Sequence, residues 1–191
     1  MQTTDIEDKT FDNIDFTEKS LANNIYTNCV FNDCNFSKTD ISYASFEDCI
    51  FNICIFSETI VNLTRFKNII FNETKMMGFH FNNCKEFLFE LSFKNCQLDY
   101  TIFFEKKMRN TVFIDCSLKE VDFTKADLTM ATFANCDLQD ATFDDTILEK
   151  ADFRSARNFR IDPEQNKIKK AKFSYIGLEG LLSKYKIDVA Y

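Results

Sequence analysis

Nine phenylalanines form a ladder along this chain. Phe11, Phe31, Phe51 and Phe71 are 20 residues apart, and so are Phe93, Phe113, Phe133, Phe153 and Phe173. Only the step from Phe71 to Phe93 differs, at 22 residues. A recurrence this long requires the chain to close a turn about every 20 residues and return the same side chain to the same interior corner. The molecule is therefore a solenoid, and its function belongs to outer surfaces rather than to a pocket.

The period divides into four steps of five. Every fifth residue from Phe11 to Phe81, and again from Phe93 to Phe153, is apolar or aromatic: 28 positions in a chain only 45% hydrophobic. An amphipathic helix repeats at 3.6 and a half-buried strand at 2, so neither describes the pattern. Two residues before these large positions sit small ones, such as Cys29, Cys34, Ala44, Thr64, Cys116, Ala126 and Ala151. Large beside small fills a narrow core at native density. The other three residues of each five are mostly polar and are expected to face solvent.

The segment ADLTMATFANCDLQDATFDDTILEKADF, residues 126–153, resembles the pentapeptide-repeat motif A(D/N)Lxx with a central Phe or Leu. The resemblance covers roughly residues 11–158. It implies an all-β fold, a right-handed quadrilateral β-helix whose coils stack at about 4.8 Å. The repeat domain is expected over 1–174, with a bulge or corner loop at the two-residue phase break within 82–92. Asp162-Pro163 removes a ladder donor, so the last coil, 159–174, is expected to be loose. Leu178, Leu181, Leu182 and Tyr185 share one face of a helix expected from Tyr175 to Lys186. Residues 175–191 then form a helix and tail that cap the open end or join two copies.

A net charge of −7 argues against direct nucleic-acid binding, which wants a basic stripe. The first ten residues are polar and acidic rather than a signal peptide, and no apolar run nears the roughly 20 residues that span a membrane. A cytoplasmic protein with no membrane contact is expected. Eight cysteines include no C-x-x-C pair, and all stand at the small inward position, which describes buried free thiols rather than a metal site. His80 is the single histidine and has no nucleophile partner in sequence; it is expected at the surface. No phosphate-binding or hydrolase motif is present. The expectation is no enzyme, no cofactor and no metal.

Charge is unevenly placed. Residues 111–152 hold 10 acids against 3 bases, whereas 153–191 hold 4 against 9. Asp115, Glu120, Asp122, Asp127, Asp137, Asp140, Asp144 and Asp145 all take outward positions, with Glu120 and Asp140 one coil apart. They are the expected partner-binding surface, either a plain solvated face or a row of charge imitating duplex DNA. The tail IDPEQNKIKKAKFSYIGLEGLLSKYKIDV resembles the C-terminal end of the Qnr-type and microcin-immunity branch. That resemblance implies a DNA mimic that engages DNA gyrase or topoisomerase IV and protects it from quinolones or peptide toxins. It also implies a homodimer through the C-terminus, with Ile176, Leu178, Leu181, Leu182 and Tyr185 at the contact. The interaction loops of that branch have no clear counterpart here. Val30, Ile50, Ile70 and Val112 form an outward aliphatic stripe, which leaves open a second reading: a generic interaction scaffold with no topoisomerase role.

Overall fold

The computed structural model describes residues 3–86 and 89–187; the expectations for residues 1, 2, 87, 88 and 188–191 lie outside them. The chain winds into four-sided coils, and each side takes its name here from its inward residues. The first face carries Phe11, Phe31 and their successors; the second Phe16, Phe36 and Phe56; the third Leu21, Ile41 and Val61; the fourth Ile6, Tyr26 and Phe46. Among the described residues, parallel strands of three or four residues form on two faces. On the fourth face Asp5–Glu7, Ile25–Thr27, Ser45–Glu47 and Arg65–Lys67 make one sheet. On the first face Thr10–Asp12 begins a seven-stranded sheet that ends at Thr132–Ala134. Its register pairs Phe11, Phe31, Phe51, Phe71, Phe93, Phe113 and Phe133 in order. The other faces are joined by single bridges such as Asp15 to Asn35 and Ser20 to Asp40.

The corners explain the five-residue step. From Asp8 to Glu73, and again from Asn95 to Lys150, every fifth residue has a positive φ of 50–65°. This left-handed conformation turns the chain through a corner, and Asn and Asp tolerate it best among side-chain-bearing residues. The corner amide then donates to the coil above, as Asp33 N does to Asn52 O at 2.8 Å. Ile53, β-branched at φ 57°, is the corner whose side chain fits least.

Inside, the first-face phenylalanines form one unbroken stack. Centroid spacings from Phe11 through Phe173 are 4.8, 4.8, 5.1, 5.3, 5.1, 5.1, 4.7 and 5.4 Å. The small positions do more than save space. Thr64 Oγ1 donates to Ile41 O at 2.8 Å, Thr146 Oγ1 to Phe123 O at 2.9 Å, and Cys54 Sγ to Phe31 O at 3.4 Å. Each ties a side chain to a carbonyl 23 residues earlier, which is why Cys and Thr share this position with Ala. All eight cysteines are free and buried, and burial pushes the Cys49, Cys54 and Cys84 thiols up to about 12.

The phase break is resolved on the fourth face. A 3-10 turn, Phe81–Asn83, ends the third face, the chain stays on the coil below as far as Lys85, whose N donates to Thr64 O at 2.8 Å, and Leu91–Lys94 continues at an offset of 22 residues, with Ile69 opposite Leu91. Lys106 takes the small inward position one coil later and is nearly buried. Its Nζ donates to Cys84 O, lies 3.5 Å from Glu86 Oε2 and sits 5.3 Å from the centre of the Phe89 ring. A lysine thus replaces the ladder contacts that the extra residues displace. At the other end the last coil keeps its bridges at Lys167 and Lys172. Asn166 Nδ2 donates to Phe143 O and to Asp162 O, both at 3.0 Å, holding the Pro163 turn in place.

The tail differs from the single helix expected. Only Glu179–Leu182 is α-helical, between 3-10 turns at Ile176–Leu178 and Ser183–Tyr185. Close approach to Phe159 sets this shape. A Cβ on Gly180 would lie 2.3 Å from Phe159 O, and one on Gly177 would lie 2.9 Å from the Phe159 ring. Ile161 N donates to Gly180 O at 3.1 Å, and Lys184 Nζ bonds Asp162 Oδ1 and Glu164 Oε2, each at 2.7 Å. The tail therefore caps the second and third faces of the last coil.

Candidate interaction surface

A coil exposes the residue before each inward side chain, the residue after it and the corner residue. Counting around the coils places the eight expected acids on all four sides rather than on one. Asp137 lies on the second face and is nearly buried: it accepts from Asn158 Nδ2 at 2.7 Å, with Lys119 at 3.7 Å and Arg157 at 3.8 Å. Its charge is neutralised within the molecule, contrary to its expected outward role. Asp127 lies on the fourth face, 3.8 Å from Arg109, and Asp115 accepts from Asn135 Nδ2 at 2.9 Å at the corner after the first face.

The other five converge. Glu120 and Asp140 stack at the corner between the second and third faces, Asp122 and Asp144 stand on the third face, and Asp145 takes its far corner. Glu120, Asp122, Asp144 and Asp145 form no ion pair among the described residues, and Asp140 has the exposed Arg160 at 3.9 Å and accepts from Gln139 Nε2 at 3.4 Å. The charge of Glu120 raises the pKa of the adjoining Tyr100 hydroxyl. Toward the N-terminus the same face becomes apolar. Ile60, Leu63 and Tyr43 are each about half exposed, beside half-buried Ile102 and Phe104. His80 is exposed in this patch and bridges to Ile102.

The aliphatic stripe on the first face is weaker than the sequence suggests. Val30, Ile50 and Ile70 are in register, but Ser92 interrupts them before Val112, and all except Ile70 are half-buried. Of the tail residues, Ile176, Leu178, Leu182 and Tyr185 are exposed, whereas Leu181 packs against the core. Tyr185 Oη also donates to Glu164 Oε1 at 3.0 Å. A groove of about 930 Å³ runs between the tail and Phe159, lined by Arg157, Arg160, Lys184, Ile176 and Leu182. No group of three potential metal ligands occurs among the described residues, and no described helix is long and apolar enough to cross a membrane.

The family model for a pentapeptide repeat region matches residues 80–173, and the model for pentapeptide repeats in eight copies matches residues 14–52. No curated protein sequence matches the chain. Among solved structures, HetL is a pentapeptide repeat protein involved in heterocyst differentiation regulation, from the cyanobacterium Nostoc sp. strain PCC 7120. It is similar at a TM-score of 0.72 and 15% identity, over 90% of this chain and 88% of HetL. Two trypsin-treated forms of QnrB1, a plasmid-mediated fluoroquinolone resistance protein, are similar at TM-scores of 0.56 and 0.58. Their identities are 20% and 18%, over 98% of both chains in the first case and 100% of both in the second. At these identities the likeness is one of fold.

Proposed function

Because the chain belongs to the pentapeptide-repeat proteins, we propose that it is a non-enzymatic DNA mimic that binds a type II topoisomerase, DNA gyrase or topoisomerase IV. It would shield that enzyme from quinolones or peptide toxins. The observation that carries this reading is the acid cluster on the third face, four of whose five members form no ion pair among the described residues. Glu120, Asp122, Asp140, Asp144 and Asp145 span two coils, or two to three charges per coil rise of about 4.8 Å. Duplex DNA carries one phosphate per about 1.7 Å of axis, about three over the same rise. The local charge density of the two is therefore comparable, and a protein groove built for the phosphate backbone would meet a similar field.

The experiment is a supercoiling assay with purified gyrase, relaxed plasmid and ciprofloxacin, titrated with this protein. Rescue of supercoiling, or inhibition at higher protein, is expected. Glu120→Lys, Asp122→Lys, Asp144→Lys and Asp145→Lys together should abolish the effect without changing the fold. A folded wild-type protein with no effect at large excess refutes the reading.

One observation favours a second reading, a generic interaction scaffold. The apolar patch of Ile60, Leu63, Ile102, Phe104 and Tyr43 on the same face suits a protein partner held by hydrophobic contact. HetL shares the fold and is described as regulatory. Salt separates the two readings: charge mimicry weakens as ionic strength rises, and apolar docking does not.

A further inference from the structure

The two ends of the solenoid carry opposite charge in the same columns. At the N-terminal end, Asp5–Glu7 and Thr10–Asp12 are the terminal strands of their sheets, and nothing pairs with their outer edges among the described residues. At the C-terminal end the tail covers the second and third faces, and among the described residues no further coil stacks on the edge of the fourth and first faces, residues 167–173. Bridges run up the fourth face from Lys107 through Asp127 and Ile147 to Lys167. In that stacking Lys167 occupies the column of Asp5, Lys169 that of Glu7 and Lys170 that of Asp8. All six are exposed, and Lys167, Lys169 and Lys170 form no ion pair among the described residues.

The apolar ends match as well. Phe173 ends the ring stack that Phe11 begins, and Ile168 ends the column that Ile6 begins. All four are only partly buried, unlike the rings between them. Like-charged rims oppose contact between two N-terminal or two C-terminal ends, and only the unlike pair combines charge attraction, open strand edges and matching apolar columns.

We propose that copies of this chain associate head to tail, the Asp5–Asp12 edge of one stacking on the Lys167–Phe173 edge of the next. The contact is heterologous, so it grows beyond two copies. The exposed Ile176, Leu178 and Leu182 of the tail would face the incoming Leu21 side rather than a twofold partner. The inference is independent of any topoisomerase role.

Sedimentation velocity on the full chain, from micromolar to hundreds of micromolar, tests it. The expected result is a mass that rises with concentration past the dimer and falls back in about 1 M salt, where charges are screened beyond about 3 Å. Asp5→Lys, Glu7→Lys and Asp8→Lys together, or Lys167→Glu, Lys169→Glu and Lys170→Glu together, should each weaken association more than about tenfold. Mixing the two variants should restore it, because each then offers the other an unlike end; this recovery also shows that both are folded. A closed dimer that both triple variants leave intact would overturn the proposal in favour of a twofold C-terminal contact. A wild-type chain that stays monomeric at the highest concentration would also overturn it.

Discussion

Replacing Phe113 by Ala removes a ring stacked at 5.1 Å on both Phe93 and Phe133 and set edge-on at 6.2 Å to Phe103 and Phe123. The site is fully buried and framed by coils above and below, so the surroundings cannot collapse into the void. Loss of transfer free energy and the residual cavity together cost about 3–5 kcal/mol. With an unfolding entropy of about 2.1 cal/mol/K per residue over 191 residues, the melting temperature should fall by about 8–12 °C. Phe173 provides the control within the same column. It is partly buried and stacks on one coil neighbour, Phe153, at 5.4 Å. In a repeat array stability sums over nearest-neighbour interfaces, so an end ring contributes to one where a middle ring contributes to two. Phe173→Ala should cost about 1–2 kcal/mol, or about 3–5 °C. Thermal melts followed by far-UV circular dichroism on the three proteins decide the matter. Equal shifts for the two variants, or an unchanged melt for Phe113→Ala, would refute the stacked-column account.

Four further outcomes follow from the tail, the phase break and the thiols. Gly180→Ala places a methyl group 2.3 Å from Phe159 O, so hydrogen exchange over residues 174–187 should rise while the coils stay protected; an undisturbed tail would contradict the docking. Lys106→Met keeps the side-chain length but leaves the buried Cys84 carbonyl unsatisfied, at a cost of about 1–3 kcal/mol; an unchanged melting temperature would show that the ammonium contributes nothing. Hydrogen bonds from Lys184 lower the pKa of Asp162 and Glu164, so their contribution to tail docking is complete above the ordinary carboxylate range and lost as pH falls through the lowered values. Protection of the tail amides, corrected for the intrinsic exchange rate at each pH, should therefore fall once pH drops below the ordinary carboxylate range, and protection factors equal at neutral and strongly acidic pH would count against it. All eight cysteines are buried out of reach of solvent, and burial also raises the pKa of Cys49, Cys54 and Cys84, so a thiol reagent at about pH 8 should leave the native protein unlabelled and modify all eight after denaturation; rapid native labelling would place them at the surface.

The core was readable because a solenoid turns sequence separation into spatial contact. Residues 20 apart touch, so the Phe11 to Phe173 spacing is itself the stacking order, and a 22-residue step predicts one displaced coil without breaking the column. The same arithmetic holds outside. Taken around the coil, it separates Asp127 and Asp137 from Glu120, Asp122 and Asp144; grouping all outward acids together discards that information. The neutralisation of Asp137 depends on Lys119 and Arg157 in the coils on either side, and it appears only when three coils are stacked. The tail was least readable. Leucine spacing describes an amphipathic helix, but Gly177 and Gly180 are spent on contact with Phe159, and that contact is invisible until the solenoid end is built.

Lys106 shows how a broken local rule points to its own cause. The position it occupies holds Thr64 two coils earlier and Ala126 one coil later, and a buried ammonium there would be costly without partners. The extra residues between Asn83 and Leu91 supply them. There Lys107 N donates to Glu86 Oε1 at 3.1 Å instead of to the Cys84 carbonyl, and Glu86 and Phe89 stand within reach of the ammonium. The insertion would leave an unpaired carbonyl without the lysine, and the lysine would be a buried charge without the insertion. The two-residue slip and the misplaced lysine, one coil apart, are therefore one feature of the fold. Consistency across coils is what makes each of them tolerable.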